Sequence, residues 1–303
     1  MEVRVRRVEV ENGVSLATWL IDKEGGAGPE NSSSGERTPG TRGRATFLLV
    51  HGLASNSQLW DFTALELAHR GHLVAAVDLR GHGLSDKPDH GYDFPTLIGD
   101  IVVVSDALGL SEPILGGQSL GANLVLEAAY MYPELFRGIA CVDGGTIELS
   151  RAFPEWNDAA RVLAPPALAG TESEAMTKML REAHPTWPES GIRATMANFS
   201  IRDDGTIAPR LSLENHMRIL RSLWEHRPST RFTALAVPAL FVFAGGSGPP
   251  TKAEGAEAAE NEIGSVRVEW FDHADHDIHA QHPVELAALL DLQVQQGFFP
   301  ADR

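Results

Sequence analysis

Gly117-Gln118-Ser119-Leu120-Gly121 fits the G-x-S-x-G pattern, in which a strand turns sharply into a helix and presents a serine hydroxyl at the bend. Its surroundings suit that geometry. Pro113-Ile114-Leu115 reads as a buried strand, and Leu120, Leu124 and Ala128 recur at helical spacing until Pro133. Glycines on either side leave room where the strained backbone admits few β-carbons. A serine displayed in this way becomes a nucleophile only with a base, an orienting acid and donors for an oxyanion.

The base is expected late in the chain, on a loop after the last strand. Phe271-Asp272-His273-Ala274-Asp275-His276-Asp277-Ile278-His279 supplies three histidines there, with His282 close behind. His276 is the candidate base, because the short loop after the strand ending at Trp270 brings it back to the carboxyl edge of a sheet. The three-residue rhythm of His273, His276, His279 and His282 also suggests a metal site. No carboxylate or cysteine set completes a metal pattern, so neither metal nor cofactor is expected. The oxyanion donors should be backbone N–H groups. Leu120, directly after the serine at a helix N-terminus, is one, and Leu53, just past His51-Gly52, is the other.

The elements that must position these groups alternate. Residues 2–10 and 14–21 read as strands joined by Glu11-Asn12-Gly13, and residues 23–44, rich in Gly, Ser, Pro and charge, as a long mobile surface loop. Thr46–Val50 is a buried strand. A helix at 60–69, a strand at 73–78, a helix near 95–109 and the strand before Ser119 follow, then Gly138–Val142. Residues 146–235 break the rhythm with scattered Pro, Trp and Met and helix-like patches at 172–182 and 213–224. It resumes with strand 238–244, helix 251–262, strand 265–270 and helix 283–296. Strands alternating with helices imply an α/β fold with a mostly parallel sheet covered on both faces.

At this point the chain resembles the α/β-hydrolase fold superfamily. The matching pieces are His51-Gly52-Leu53, Asp78-Leu79-Arg80-Gly81-His82-Gly83-Leu84-Ser85, the serine motif and Ala274-Asp275-His276-Asp277-Ile278-His279, spanning about residues 2 to 296. The resemblance implies an eight-stranded, mostly parallel sheet flanked by helices, with the second strand antiparallel. It also implies a helical cap, 146–235, inserted into a core formed by 1–145 and 236–303. Asp78 to Ser85 reads as a structural turn near the site, with Arg80 and Asp86 solvated or paired.

The acid departs from the common pattern. Relatives usually carry an aspartate just past the seventh strand, but here that turn is Ala244-Gly245-Gly246-Ser247-Gly248-Pro249-Pro250, and Glu254 is the first carboxylate beyond it. A subset of the superfamily places the acid after the sixth strand, where Asp143 stands before Gly144-Gly145. Asp143 is therefore the expected orienting acid, with Glu254 as the alternative.

The resemblance implies a serine hydrolase of carboxylic esters or lactones of small, largely apolar substrates. Amide hydrolysis, C–C hydrolysis, acyl transfer and ligand binding on the same scaffold are the rivals. Trp156, Trp187, Phe199, Met217 and Trp224 are candidates to line an apolar pocket. Lysine and arginine number 25 against 41 acids, a net charge of −16 without a basic run, which argues against nucleic-acid or anionic-membrane partners. The single cysteine, Cys141, lies in an apolar segment and reads as core. With no apolar block after the strand-like Met1–Arg7, a cytoplasmic location is expected. Oligomeric state is not legible.

Overall fold

The computed structural model describes residues 2–11, 13–22, 43–245 and 250–302. Asn12, the 23–42 part of the expected mobile loop and 246–249 of the glycine-rich turn lie outside the described residues. Strands β1 (Glu2–Glu11), β2 (Val14–Asp22), β3 (Thr46–Val50), β4 (Leu73–Val77), β5 (Ile114–Gln118) and β6 (Gly138–Val142) are joined in one sheet by two later strands. Its order is β1-β2-β4-β3-β5-β6-β9-β10, where β9 is Ala239–Ala244 and β10 is Val266–Phe271. The second strand runs antiparallel to both neighbours and the rest are parallel. Eight strands with one reversed match the expectation.

The strand pattern shows why this sheet needs covering on both sides. β3, β5, β6 and β9 are buried along their whole length. On β3, Leu48 and Val50 pack with α2 (Phe94–Ala107) and α3 (Leu120–Met131). Phe47 and Leu49 face the other way, onto α1 (Asp61–His69) and α11 (Pro283–Gln295). A run with no polar alternation is what a strand between two helical layers requires. Cys141 is fully buried, and burial pushes its thiol pKa well up.

The segment between β6 and β9 is not purely helical. It holds α4 (Leu149–Ala152), α5 (Trp156–Val162), α6 (Ser173–Ala183), α7 (Glu189–Met196) and α8 (Leu213–Glu225). It also holds a two-stranded hairpin, β7 (Phe199–Ile201) with β8 (Ile207–Pro209). Asp203-Asp204-Gly205 forms its turn, with Gly205 at φ 81° and Asp204 accepting from the Thr206 amide at 3.0 Å. That Asp-Gly signal was present in the sequence but was outweighed by the helical patches on either side. Helix α9 (Pro250–Glu262) and the short α10 (Ile278–Gln281) complete the core. No helix among the described residues is long and apolar enough to cross a membrane.

Candidate active site

Ser119 sits between β5 and α3 with φ 54° and ψ −117°, a backbone shape that L-residues rarely adopt. Of the four non-glycine residues with positive φ among those described, three converge here: Ala54 at 55°, Ser119 at 54° and Asp143 at 44°. Strain persists only where the surroundings over-determine it, and such places cluster at functional sites. The flanking glycines permit the bend. A β-carbon on Gly117 would lie 2.3 Å from the Gly121 carbonyl oxygen, and one on Gly121 would lie 2.5 Å from that of Val50.

β6 runs beside β5, so the residue after it lands next to the serine: the Ser119 amide donates to the Val142 carbonyl at 2.9 Å. Asp143 follows at once. Its side chain is 1 % exposed and accepts from the Ala244 amide at 3.0 Å. The ring Nδ1 of His276 reaches Asp143 Oδ2 at 2.6 Å, arriving on the loop after β10. The Gln118 side-chain amide donates to the His276 carbonyl at 3.2 Å and ties that loop to the strand carrying the serine. Glu254, the alternative acid, instead faces Arg151 at 3.6 Å and is exposed.

The other histidines have other places. His273 is exposed and His282 packs on Phe271. His279 is completely buried against Trp60, its two ring nitrogens have no partner, and burial together with the charge of His276 pushes its pKa down to about 3.

One member was not foreseen. Lys252, on α9, places its ammonium 2.8 Å from Asp143 Oδ1, so the buried carboxylate is shared by a lysine and the histidine. Burial raises the Asp143 pKa, but hydrogen bonds from His276, Lys252 and the Ala244 amide outweigh it and leave the carboxyl below its ordinary range. For His276, burial favours the neutral ring, yet the Asp143 hydrogen bond and the charges of Asp277 and Asp143 prevail over burial and Lys252, so its pKa is raised. Half of the His276 side chain stays open to solvent. No sequence signal marks Lys252, because the pairing is made across the sheet edge and has no spacing of its own.

The turn after His51 lies against the serine turn, since a β-carbon on Gly52 would sit 3.2 Å from that of Ser119. Among the described residues neither the Leu53 N–H nor the fully buried Leu120 N–H has a hydrogen-bond acceptor. A buried amide without a partner is rare, which makes that of Leu120 notable, while Leu53 is half-buried. The turn carrying Leu53 is held from both sides. His51 Nδ1 meets the Gly52 carbonyl at 2.7 Å while its Nε2 accepts from the Leu79 amide at 3.0 Å. His82 Nε2 accepts from the Ala54 amide at 3.3 Å. Burial pushes His51 down to about 4, and burial with the His51 charge pushes His82 down to about 3, so both rings are neutral and can accept. Asp78 fixes the next residues, taking the Ser57 amide and hydroxyl at 2.8 Å each. The Asp78–Ser85 turn is thus structural, as expected. Of the two expected alternatives Arg80 takes the paired one: it is 1 % exposed and grips Asp100 through two 2.7 Å hydrogen bonds. Asp86 pairs with Arg7.

Two cavities flank the site beneath the β6–β9 insertion. One, of about 490 Å³, is lined by His276, Asp143 and Lys252 with Ile147, Phe153 and Phe243 among its apolar walls. The second, of about 420 Å³, begins at Ala54 and Ser55 and runs under the hairpin. Of the five expected pocket residues, only Phe199 lines either cavity. Trp156 and Trp224 pack on one another with Arg221 between them and solvent, Trp187 is buried with its N–H on Asp275, and Met217 faces a separate surface groove. Helical spacing alone cannot say which face of a cap helix meets the site.

A family model described as alpha/beta hydrolase fold matches residues 45–174. The chain has the α/β-hydrolase fold. Its fold agrees over 95 % of its length with 98 % of the crystal structure of E-2-(acetamidomethylene)succinate hydrolase, at a TM-score of 0.73 and 24 % identity. An esterase from Exiguobacterium antarcticum superposes over 96 % of this chain and the whole of its own, with a TM-score of 0.70 and 17 % identity. In sequence, a 2-(acetamidomethylene)succinate hydrolase from Mesorhizobium japonicum is 41 % identical over 96 residues, covering 32 % of this chain and 34 % of that protein. The chain thus spans about a third of the length of the curated relatives it matches. Those matches report shared architecture around the serine motif, and the chemistry must be argued from the site itself.

Proposed function

We propose that the protein is a serine hydrolase that cleaves carboxylic esters, lactones included, of small substrates through an acyl-enzyme on Ser119. The observation that carries this reading is the 2.6 Å hydrogen bond from His276 Nδ1 to Asp143, formed at the mouth of the strained serine turn. With Nδ1 held by the carboxylate, Nε2 carries the lone pair that takes the Ser119 proton. The Ser119 hydroxyl hydrogen-bonds to no described residue. Its contact with Nε2 therefore closes as substrate enters, since catalytic hydrogen bonds often tighten only in the complex.

The serine oxygen then attacks the carbonyl carbon, and the charge that develops on the carbonyl oxygen is met by the free amides of Leu53 and Leu120. One such donor is typically worth about 10²–10³ in kcat. His276 returns its proton to the leaving alkoxide, then takes one from a water whose oxygen attacks the acyl carbon, and gives that proton to the Ser119 oxygen as the bond to the acyl group breaks and the acid departs. Asp143 keeps the ring in one tautomer and supports its cation throughout. The elements between β6 and β9 act as the cap that walls the two cavities.

A second reading, hydrolysis of an amide by the same groups, is favoured by one observation. The 41 %-identical relative is named for the hydrolysis of an acetamido compound. The test is a matched panel of p-nitrophenyl esters, lactones and p-nitroanilides. Esters turned over at least 100-fold faster than anilides, with turnover lost in Ser119→Ala, support the ester reading. A preference for anilides transfers the assignment to amides, and turnover that survives Ser119→Ala removes the mechanism.

A further inference from the structure

The cavity of about 420 Å³ that starts at Ala54 and Ser55 has an unusual lining. The chain carries 41 acidic residues, yet neither an aspartate nor a glutamate borders this cavity. Arg210, which follows β8, does border it. The only hydrogen bond of its side chain among the described residues runs from Nε to the Ala197 carbonyl at 3.1 Å, so the guanidinium has no carboxylate partner. Several other arginines of the insertion meet acids, as Arg218 does Glu214 and Arg221 does Glu225, each at 2.6 Å, whereas Arg193 and Arg202, which line neither this cavity nor the one at His276, make no ion pair among the described residues. Lys87, close to Arg210 at the Gly83 rim, is answered by Asp78 and Asp86. Arg210 is half-buried, and no carboxylate among the described residues answers it.

The remaining polar groups around the cavity are neutral. The Ser55 hydroxyl is buried and has no partner. Asn198 spends its carbonyl on the Asn56 amide at 2.5 Å and keeps its own NH₂ for another acceptor. His216 is 7 % exposed, and its ring has no hydrogen bond among the described residues. Pro165, Leu168, Phe199 and Leu211 supply apolar wall. A half-buried cation, spare neutral donors and no acid describe a site waiting for an anion with an apolar stem. The planar fork of a guanidinium matches a carboxylate.

We propose that this cavity binds the carboxylate end of the substrate, with Arg210 as its charge partner, so that the compounds cleaved at Ser119 are half-esters or half-amides of dicarboxylic acids. The placement rests on the serine-hydrolase reading, because the cavity opens one residue from Leu53, whose amide that reading assigns to the oxyanion. It replaces a largely apolar substrate by one with an apolar body and a charged end. A lone arginine suits a monoanionic carboxylate better than a phosphate dianion.

Two measurements on the full chain test it. In turnover, 4-nitrophenyl hemiglutarate is compared with neutral 4-nitrophenyl pentanoate, which has nearly the same length. In binding, calorimetry on Ser119→Ala compares monomethyl adipate with dimethyl adipate and with a phosphonate of the same length. The charged ester should exceed the neutral one by about 10- to 100-fold in kcat/KM and in affinity, the range of charge-assisted hydrogen bonds. Arg210→Gln should abolish the preference and leave the neutral ester's kcat/KM within about threefold, and Arg210→Lys should restore part of it. Because the Arg210 side chain makes a single hydrogen bond, to a backbone carbonyl, unfolding curves of these variants should overlay the parent's. Equal handling of charged and neutral ligands by the parent, a preference that survives Arg210→Gln, or tighter binding of the phosphonate overturns the proposal. Arg210-dependent carboxylate binding without turnover of either ester would keep this subsite and discard the hydrolase reading.

Discussion

Replacing Asp143 by asparagine separates its chemical role from its structural one. The carboxylate accepts three donors: His276 Nδ1 at 2.6 Å, the Ala244 amide at 3.0 Å and Lys252 at 2.8 Å. Asparagine can still accept from Ala244, but its NH₂ presents a proton to Nδ1, so the ring must carry its own proton on Nε2 and cannot accept one from Ser119. That inversion is expected to cost about 10⁴ in kcat/KM, or about 5.4 kcal/mol at 1.36 kcal/mol per decade. Lys252, whose side chain is 18 % exposed, loses its counter-charge at the same time. Breaking a buried pair by removing one partner typically costs about 3–5 kcal/mol. Lys252 keeps the Ala244 carbonyl at 3.3 Å, which lowers the expected loss of stability to about 2–3 kcal/mol. The double variant Asp143→Asn/Lys252→Met removes the stranded ammonium. It should regain most of that stability while staying about 10⁴ below the parent in activity. The assay is kcat/KM on a p-nitrophenyl ester at pH 8, paired with urea unfolding. Asp143→Asn that is folded and within tenfold of parental activity refutes the reasoning, as does activity returning with stability in the double variant.

Further outcomes follow from the same geometry. Activity needs neutral His276, whose pKa is raised above its ordinary 6.5, so kcat/KM should climb with pH through a limb above 6.5. Lys252→Met removes a charge that opposes protonation and should move that limb further up, and a downward move in the pH profile would contradict the placement of Lys252. His279→Phe exchanges a buried ring for one without polar atoms. With a folded-state pKa of about 3 against 6.5 in the unfolded chain, His279 takes up its proton first on unfolding, and its destabilising effect grows as pH falls below 6.5. The stability of His279→Phe relative to the parent should therefore improve by about 1.2 kcal/mol between pH 7 and 5.5 in denaturant titrations, and an unchanged difference would refute the assigned burial. Gly121→Ala drives a β-carbon to within 2.5 Å of the Val50 carbonyl oxygen and 2.6 Å of that of His51, both rigid backbone. It should cost about 1–3 kcal/mol in unfolding free energy, and a variant as stable as the parent would show that the elbow has slack.

The elements that can be read from sequence are those whose pattern is local. Unbroken apolar runs at Thr46–Val50 and Ala239–Ala244 mark strands buried on both faces, and their observed bounds fall within a residue of those expected. The sharp turn at Ser119 was legible because its steric needs are written into the adjacent glycines. Asp143 was legible once the seventh-strand turn was seen to lack an acid, since a strand neighbouring β5 must end near the serine. What failed depends on contacts distant in sequence. Lys252 meets Asp143 across 109 positions, and Arg210 stands out only because no acid lines its cavity. The cap aromatics misled because amphipathic spacing fixes which residues share a face, not what that face meets.

The central claim is that Ser119 is a nucleophile made reactive by His276 and Asp143, and covalent capture tests it most directly. The protein is treated with a fluorophosphonate and digested, and the adduct is located by mass spectrometry. The account predicts one stoichiometric adduct on Ser119, absent from Ser119→Ala and formed at least 100-fold more slowly in His276→Ala. An unmodified Ser119 in folded protein, or labelling at the same rate without His276, would contradict it.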